Sequence, residues 1–264
     1  MKTLMKRSVV VAGIGVASLG CMAGTALAEE EKPTADLTVG AYSAYIWRGQ
    51  ELSQDSVVIQ PSMTIGYKGF SFGLWGNLDT DRYTSDPETN EWTETDLTLA
   101  YDWTMGPVGM TAGYIYYAQD TVGLQDSQEF FVSAALDTLL APTLTIYRDT
   151  DNIAGWYITL GVSHSVPLFG DISLDLGAQA SYLSADEASS YADPDNANEE
   201  YDNFADGLLS ASVSFPVNEY ISVTPEVYYS FPLGDDAKGF MRAKSIDGDD
   251  KDFVYGGVSV SLAF

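Results

Sequence analysis

Apolar side chains alternate with small or polar ones through most of this chain, and that period of two limits the fold more than any other feature. A β-strand turns successive side chains to opposite faces, whereas a helix repeats near 3.6 residues. The last segment is the clearest case: Val258, Val260, Leu262 and Phe264 share one face, and Ser259, Ser261 and Ala263 the other. The alternation recurs near 36–47, 57–68, 70–79, 94–105, 108–117, 128–137, 143–149, 156–166, 171–183, 208–215, 220–231 and 252–264. Most of these segments run ~9–12 residues, enough to cross a bilayer core at a ~45° tilt.

The connections alternate too. Those at 48–56, 80–93, 118–127, 150–155, 184–207 and 232–251 are long, with 150–155 the shortest. Between them fall Gly69 alone, Gly106-Pro107, 138–142, 167–170 and 216–219. Long connections at one end and tight turns at the other fit a membrane-spanning up-and-down barrel. A soluble sandwich with Greek-key crossings has no reason to sort loop lengths by end. The expected fold is therefore all-β, a transmembrane antiparallel barrel of about twelve strands. Pro61 and Pro225 stand against it, because each removes a ladder hydrogen bond within an expected strand. A bulge or a shifted register would accommodate them.

One face of the strands is apolar or aromatic, as in Phe70, Phe72 and Leu74, or Leu97, Leu99, Tyr101 and Trp103. The other carries Gly, Ser, Thr and acids but little Lys, unlike the outer face of a soluble sheet. Tyr45, Trp47, Tyr67, Phe70, Trp103, Tyr114, Tyr116, Trp156, Tyr182, Tyr229 and Phe231 gather near segment ends, as interfacial girdles do.

Charge excludes one class of partner. Lys and Arg number 12 against 38 Asp and Glu, a formal net charge of -26. Phosphate binding needs clustered bases, so nucleic acid is not an expected partner. One His and one Cys leave little for metal or nucleophile chemistry based on those residues.

Residues 1–28 read as a cleaved signal peptide and 29–264 as the barrel. Lys2, Lys6 and Arg7 precede an apolar stretch from Val9 to about Ala23, and Ala26-Leu27-Ala28 is a small-x-small cleavage site. Ser18-Leu19-Gly20 before Cys21 fits a lipoprotein signal poorly, so cleavage after Ala28 removes the cysteine. Beyond it no apolar run reaches ~18 residues, so no transmembrane helix is expected.

Two stretches carry a family resemblance. Phe264, with Leu262 and Val260 on the same face, looks like the C-terminal signal that hands bacterial outer-membrane proteins to the barrel-insertion machinery. The stretch Ala44-Tyr45-Ile46-Trp47-Arg48-Gly49-Gln50-Glu51-Leu52-Ser53-Gln54-Asp55 is followed by Gly66-Tyr67-Lys68-Gly69-Phe70-Ser71-Phe72-Gly73-Leu74-Trp75-Gly76-Asn77. Together they resemble the TorF-like family of outer-membrane porins, with its aromatic-x-aromatic-Arg-Gly, a nearby Ser-Gln and Gly-Phe-x-x-Gly-x-Trp-Gly. The resemblance implies a barrel in the outer membrane of a Gram-negative bacterium, with no particular substrate. Its partners would be outer-membrane lipid, lipopolysaccharide, the insertion machinery and small solutes or cations.

By strand parity the inward bases are Arg48 and Lys68. The inward acids are Asp79, Glu94, Asp96, Asp102, Glu129, Asp137, Asp149, Asp175 and Glu226. So few bases cannot neutralise so many acids, which favours a wet, cation-attracting lumen. Eight strands give a filled barrel and sixteen an aqueous channel, so twelve should leave a narrow one. No segment is spare for a plug unless the fifth or sixth long connection folds inward. Arg48 is expected at the outer end of the first strand, as an eyelet charge or paired with Asp79, with bonding to loop carboxylates that holds the barrel shut as the plainer, favoured reading.

Asp193, Asp195 and Glu199 have a weak calcium-like spacing without the EF-hand glycine. Loosely held Ca2+ is the one cofactor considered, against a solvated acidic loop as the plain alternative. His164 has Ser163 and Ser165 beside it, but they point to the opposite face, so an interfacial histidine is favoured over a catalytic one. The expected function is a non-enzymatic channel for passive diffusion of small hydrophilic solutes or cations. The alternative is a non-conducting structural or adhesive barrel acting through its acidic loops.

Overall fold

A computed structural model describes residues 32–53, 55–81, 91–120 and 124–264. The proposed signal peptide, its cleavage site and Cys21 lie outside these residues, as does Gln54. In chain order the elements are β1 (Thr34–Tyr42), β2 (Ile46–Trp47), β3 (Gln50–Glu51), β4 (Val58–Tyr67), β5 (Phe70–Asp79), β6 (Glu91–Met105) and β7 (Val108–Gln119). There follow β8 (Ser127–Leu136), β9 (Thr143–Asp149), β10 (Gly155–Pro167), β11 (Ser173–Ala185), β12 (Asp202–Pro216), β13 (Ile221–Pro232), α1 (Asp235–Ala243) and β14 (Phe253–Ala263).

Twelve strands close into one antiparallel barrel, in which β1 pairs with both β4 and β14. Neighbours around the wall are neighbours in sequence, which is the up-and-down topology. Closure removes the free edges, so every strand has two partners. Ala35 and Phe264 exchange backbone hydrogen bonds of 2.8 and 3.0 Å at the seam. β2 and β3 stand apart as a two-stranded hairpin.

The two faces separate as alternation requires. Leu37, Val39, Phe72, Leu97, Leu99, Leu160, Val258 and Val260 form part of an exposed apolar outer band. A soluble monomer rarely exposes a continuous apolar surface of this kind, whereas hydrocarbon matches it. Val260 belongs to that band, and Phe264 beyond it is also exposed. Inward positions such as Gln60, Thr98, Thr111, Thr145 and Ser259 are polar and buried. At the short-turn end Lys68 and Gly69 both take positive φ, 52° and 82°, the geometry of a type I′ hairpin turn. Asp137 is exposed just beyond β8 rather than inward.

Both prolines sit in their strands without a register shift. Pro61 faces Val39 of β1, and pairing with β5 runs Ile59–Leu78 and then Ser62–Trp75 on one register. The Gln60 amide bridges this gap by donating to Asn77 Oδ1 at 3.0 Å. Pro225 faces Val258 of β14, and its pairing with β12 resumes at Phe215–Val223. Each proline therefore loses its bond on one side only, with polar side chains beside the gap. The bulges fall elsewhere, at Asn77/Leu78 and Ala180/Tyr182.

The lumen differs from expectation. β1 ends at Tyr42 rather than near residue 47, and the chain then turns into the barrel as the β2–β3 hairpin. The first long connection is thus an inward plug, a role the sequence reserved for the fifth or sixth. The sixth contributes as well. Its helix α1 has Ala237, Phe240 and Met241 buried, an i, i+3, i+4 face, and packs on β12 and β13. Phe240 meets Tyr201 and Tyr191 at 4.7 and 5.7 Å between ring centroids. Tyr45 and Trp47 are accordingly not girdle residues, since Tyr45 is buried and Trp47 packs against the buried lumen cluster.

Candidate functional site

The hairpin begins with a sequence that can make no other tight turn easily. Trp47-Arg48-Gly49-Gln50 forms a type I′ turn, with φ of 51° at Arg48 and 74° at Gly49. Glycine reaches that region without steric cost. Space also demands it, because a Cβ there would lie 3.1 Å from Asp206 Cβ and 3.2 Å from Met241 Cγ. The base of the hairpin is tied by Leu52 N–H to Tyr45 O at 2.8 Å and Tyr45 N–H to Ser53 Oγ at 2.7 Å. Glu51 is held from the sixth connection: its N–H donates to Lys244 O at 3.1 Å, and its carboxylate accepts from Ile246 N–H at 2.8 Å.

Arg48 at the tip reaches β8. Its guanidinium donates to both oxygens of Glu129, at 2.9 and 2.8 Å. The side chains are 10% and 1% exposed. The planar cation also lies over Trp47, Tyr147 and Tyr157, at 4.5, 4.9 and 4.2 Å from the ring centroids. Arg48 therefore points into the lumen level with the long-connection ends of β8–β10, where Glu129, Tyr147 and Tyr157 each lie two residues from the end of their strand. It does not pair with Asp79, whose carboxylate instead accepts from Asp81 N–H at 3.1 Å. Lys68 is a second correction. It is exposed in the β4–β5 turn, 5.2 Å from the Tyr67 ring, and lines no pore.

The remaining predicted acids divide by height in the barrel. Glu94 accepts from Tyr45 O–H at 2.9 Å and Gln119 Nε2 at 2.7 Å, so it holds the hairpin to β6. Glu129 also accepts from Tyr117 O–H at 2.8 Å. Glu226 accepts from Tyr42 O–H at 2.7 Å and from Tyr228 O–H. Asp149 accepts from Ser127 O–H at 2.7 Å. Nearer the short-turn end, Asp102 accepts from Thr111 and Asp175 from Ser173, both half-buried. Asp96 is 3% exposed; among the described residues no N–H or hydroxyl donates to its carboxyl, which instead meets the Glu94 carboxyl.

Charge imbalance therefore does not require water at every acid. Among the described residues Arg48 pairs with one inward carboxylate, and five tyrosine hydroxyls serve Glu94, Glu129, Glu226 and Asp206. The sequence carried this signal in its 17 tyrosines, several at inward parity. A phenol supplies a donor and apolar bulk together, which suits a filled lumen.

Asp206 was missed. Its position falls in the acidic connection 184–207 expected from the sequence, but β12 begins at Asp202. Asp206 shares the inward face of Leu208, Ser210 and Ser212, and a bulge against β11 lies just ahead of it. Ser181 heals that bulge: its Oγ accepts from Asp206 N–H at 2.9 Å and donates to Asp206 Oδ1 at 2.6 Å. Tyr157 O–H donates to the same Oδ1 at 2.9 Å.

The hairpin leans toward β6–β8 and leaves a cavity of about 100 Å³ on the opposite side. Arg48, Tyr157, Gln179, Asp206, Ser230 and Tyr255 are among its walls.

The acidic loop shows no cation cage. Asp193 Oδ1 accepts from the N–H groups of Asp195 and Asn196 at 2.8 and 3.2 Å, which closes a local turn. Asp193, Asp195 and Glu199 are not brought together as ligands, and no group of three or more His, Cys, Asp or Glu side chains converges on a metal position among the described residues. His164 Nδ1 lies 2.9 Å from Leu139 O at the short-turn end, on the face opposite Ser163 and Ser165.

No family model matches the chain, and no curated protein matches it in sequence. Solved structures resemble it in fold. A KdgM porin in complex with disordered oligogalacturonate has a TM-score of 0.52 at 9% identity, over 88% of this chain and 99% of that one. The NanC porin has a TM-score of 0.55 at 10% identity, over 86% of this chain and 98% of that one. At such identities the likeness concerns the fold, which is that of a porin-type transmembrane β-barrel.

Proposed function

We propose that this protein is an outer-membrane channel of a Gram-negative bacterium, passing small hydrophilic solutes or cations passively through an acidic lumen. The observation that carries this reading is the inward β2–β3 hairpin, fixed to an acidic, polar barrel wall by Arg48–Glu129 and Tyr45–Glu94. A hairpin inside a polar cylinder narrows a path, and low-dielectric walls focus the field of the surrounding carboxylates. The TorF-like resemblance and the porin-type fold support the same reading. No catalytic role is proposed.

The KdgM porin was captured with oligogalacturonate, a polyanion. The lumen described above is rich in carboxylates, and both terminal nitrogens of Arg48 are engaged by Glu129. Like-charge repulsion would exclude a polyanion, so neutral solutes and cations are the cargo proposed here.

A second reading is a non-conducting barrel that acts through its loops. It is favoured by the hairpin's packing into the buried lumen cluster, where Tyr45, Ile46 and Trp47 meet residues of the wall and of α1. Reconstitution of the full chain in planar bilayers under a KCl gradient separates the two. The channel reading expects discrete openings with a cation-selective reversal potential. An electrically silent, correctly folded barrel supports the second reading, and anion selectivity rejects the first.

A further inference from the structure

We propose that the cavity between the hairpin and the β10–β14 wall is a binding site for a small monovalent cation, with Asp206 as its charged ligand. For the route by which the ion arrives, the proposal rests on the channel reading. The site itself rests on three features of the wall.

The first is an unused carboxylate oxygen. Asp206 is 4% exposed, and its Oδ1 takes the bonds from Tyr157 and Ser181, which leaves Oδ2 without a protein donor among the described residues. Arg48 lines the same cavity and its charge favours the Asp206 carboxylate, but its hydrogen bonds go to Glu129, so Oδ2 faces the cavity without a donor among the described residues. The second is Ser230, 1% exposed and lining the same cavity, whose hydroxyl has no partner among the described residues. Ser230 faces Leu208 across the β12–β13 ladder, so Asp206 is its diagonal neighbour on the inner face. Such diagonals span ~7–8 Å between Cα atoms, leaving an ion-sized gap between two short side chains. The third is the rest of the wall. Gln179 and Thr159 add neutral oxygens, and Tyr157 and Tyr255 add ring faces.

The same wall selects the charge. An anion would meet Asp206 and find Arg48 already spent on Glu129. A divalent ion usually takes several carboxylates, and no three acidic side chains converge here. One carboxylate with neutral oxygens suits a singly charged, partly dehydrated ion.

The test is 23Na NMR of the full chain folded in neutral detergent, with linewidth followed as K+ is added. The wild type should show a saturable broadening that K+ displaces. Asp206→Asn should lose that component. Ser230→Ala should weaken it about five-fold, the equivalent of one neutral hydrogen bond, and Ser230→Thr should restore it. Glu200→Gln, in the exposed acidic loop, should leave it intact. Absence of a saturable component in the wild type overturns the proposal, as does its full survival in Asp206→Asn. If Asp206→Asn does not fold, the Ala and Thr pair at Ser230 decides alone. Saturable, Asp206-dependent binding by a barrel that is silent in bilayers would refute the channel reading and leave the site standing.

Discussion

Arg48 and Glu129, 81 residues apart in sequence, meet through two hydrogen bonds of 2.9 and 2.8 Å inside the barrel, near the long-connection end of β8. This fork joins the turn of the inward hairpin to β8, and it is the plug's strongest single attachment to the wall. Removing one member of a buried ion pair leaves the other uncompensated, at a cost of about 3–5 kcal/mol. Arg48→Ala should therefore lower the urea midpoint of the folded barrel by that order. Arg48→Ala/Glu129→Ala should cost less than the sum of the two single changes. Strictly additive midpoints would show that the fork is not a coupled pair.

Asp96 makes the opposite prediction. Its two oxygens are buried without a donor, two residues along the inward face from Glu94. Asp96→Asn replaces one of two facing carboxyls and offers an amide N–H to Glu94. Stability should rise by about 1–3 kcal/mol, the usual cost of an unsatisfied buried polar group. Thermal loss of the compact form on unboiled gels is the readout, and a lower transition temperature would contradict the assignment.

Gly49 and Gly106 both take positive φ, 74° and 64°, but only Gly49 is crowded. An alanine at either pays about 1–2 kcal/mol for a left-handed backbone. At Gly49 the new methyl also presses on Asp206 and Met241. Gly49→Ala should then destabilise the barrel clearly more than Gly106→Ala in matched urea titrations.

Arg148 and Asp186 pair at 2.7 and 2.5 Å, tying β9 to the connection 186–201. The hydrogen bond from Arg148 holds the Asp186 carboxyl below its ordinary value. A depressed carboxylate stabilises the folded form above its unfolded pKa, near 3.9, and loses that effect as pH falls through the folded value. The pair is largely exposed, so the gain is small and weakens in salt. Acid-active protease should cut 186–201 faster below pH ~4 than at pH 6. Asp186→Asn should abolish that difference, and an unchanged pH response in the variant would contradict the pairing.

The barrel wall was legible because a strand exposed to lipid on one side and a polar lumen on the other must alternate at each residue. Loop sorting by length then fixed the topology, and the prolines did not break it, since each loses one side of its ladder only. The plug was less legible. Tyr45 and Trp47 continue the alternation of β1, and nothing in that pattern marks where a strand stops following the wall. The marker was the turn chemistry of Arg48-Gly49, the basic-glycine pair that also turns Lys68-Gly69. Asp206 was hidden differently. It has the parity of Leu208, Ser210 and Ser212, but the acidic composition before residue 208 reads as loop and hides the first residues of β12. Inward acids such as Glu94, Glu129 and Glu226 were recognisable by parity, but their tyrosine donors come from other strands and became apparent only with the register.

Single-channel conductance of the wild type beside Arg48→Ala tests the central claim most directly, namely that the hairpin narrows an acidic conducting lumen. The wild type should give small cation-selective openings, and the variant should give larger ones of the same selectivity. Equal conductance from two folded proteins, or a preference for anions in either, would contradict the account.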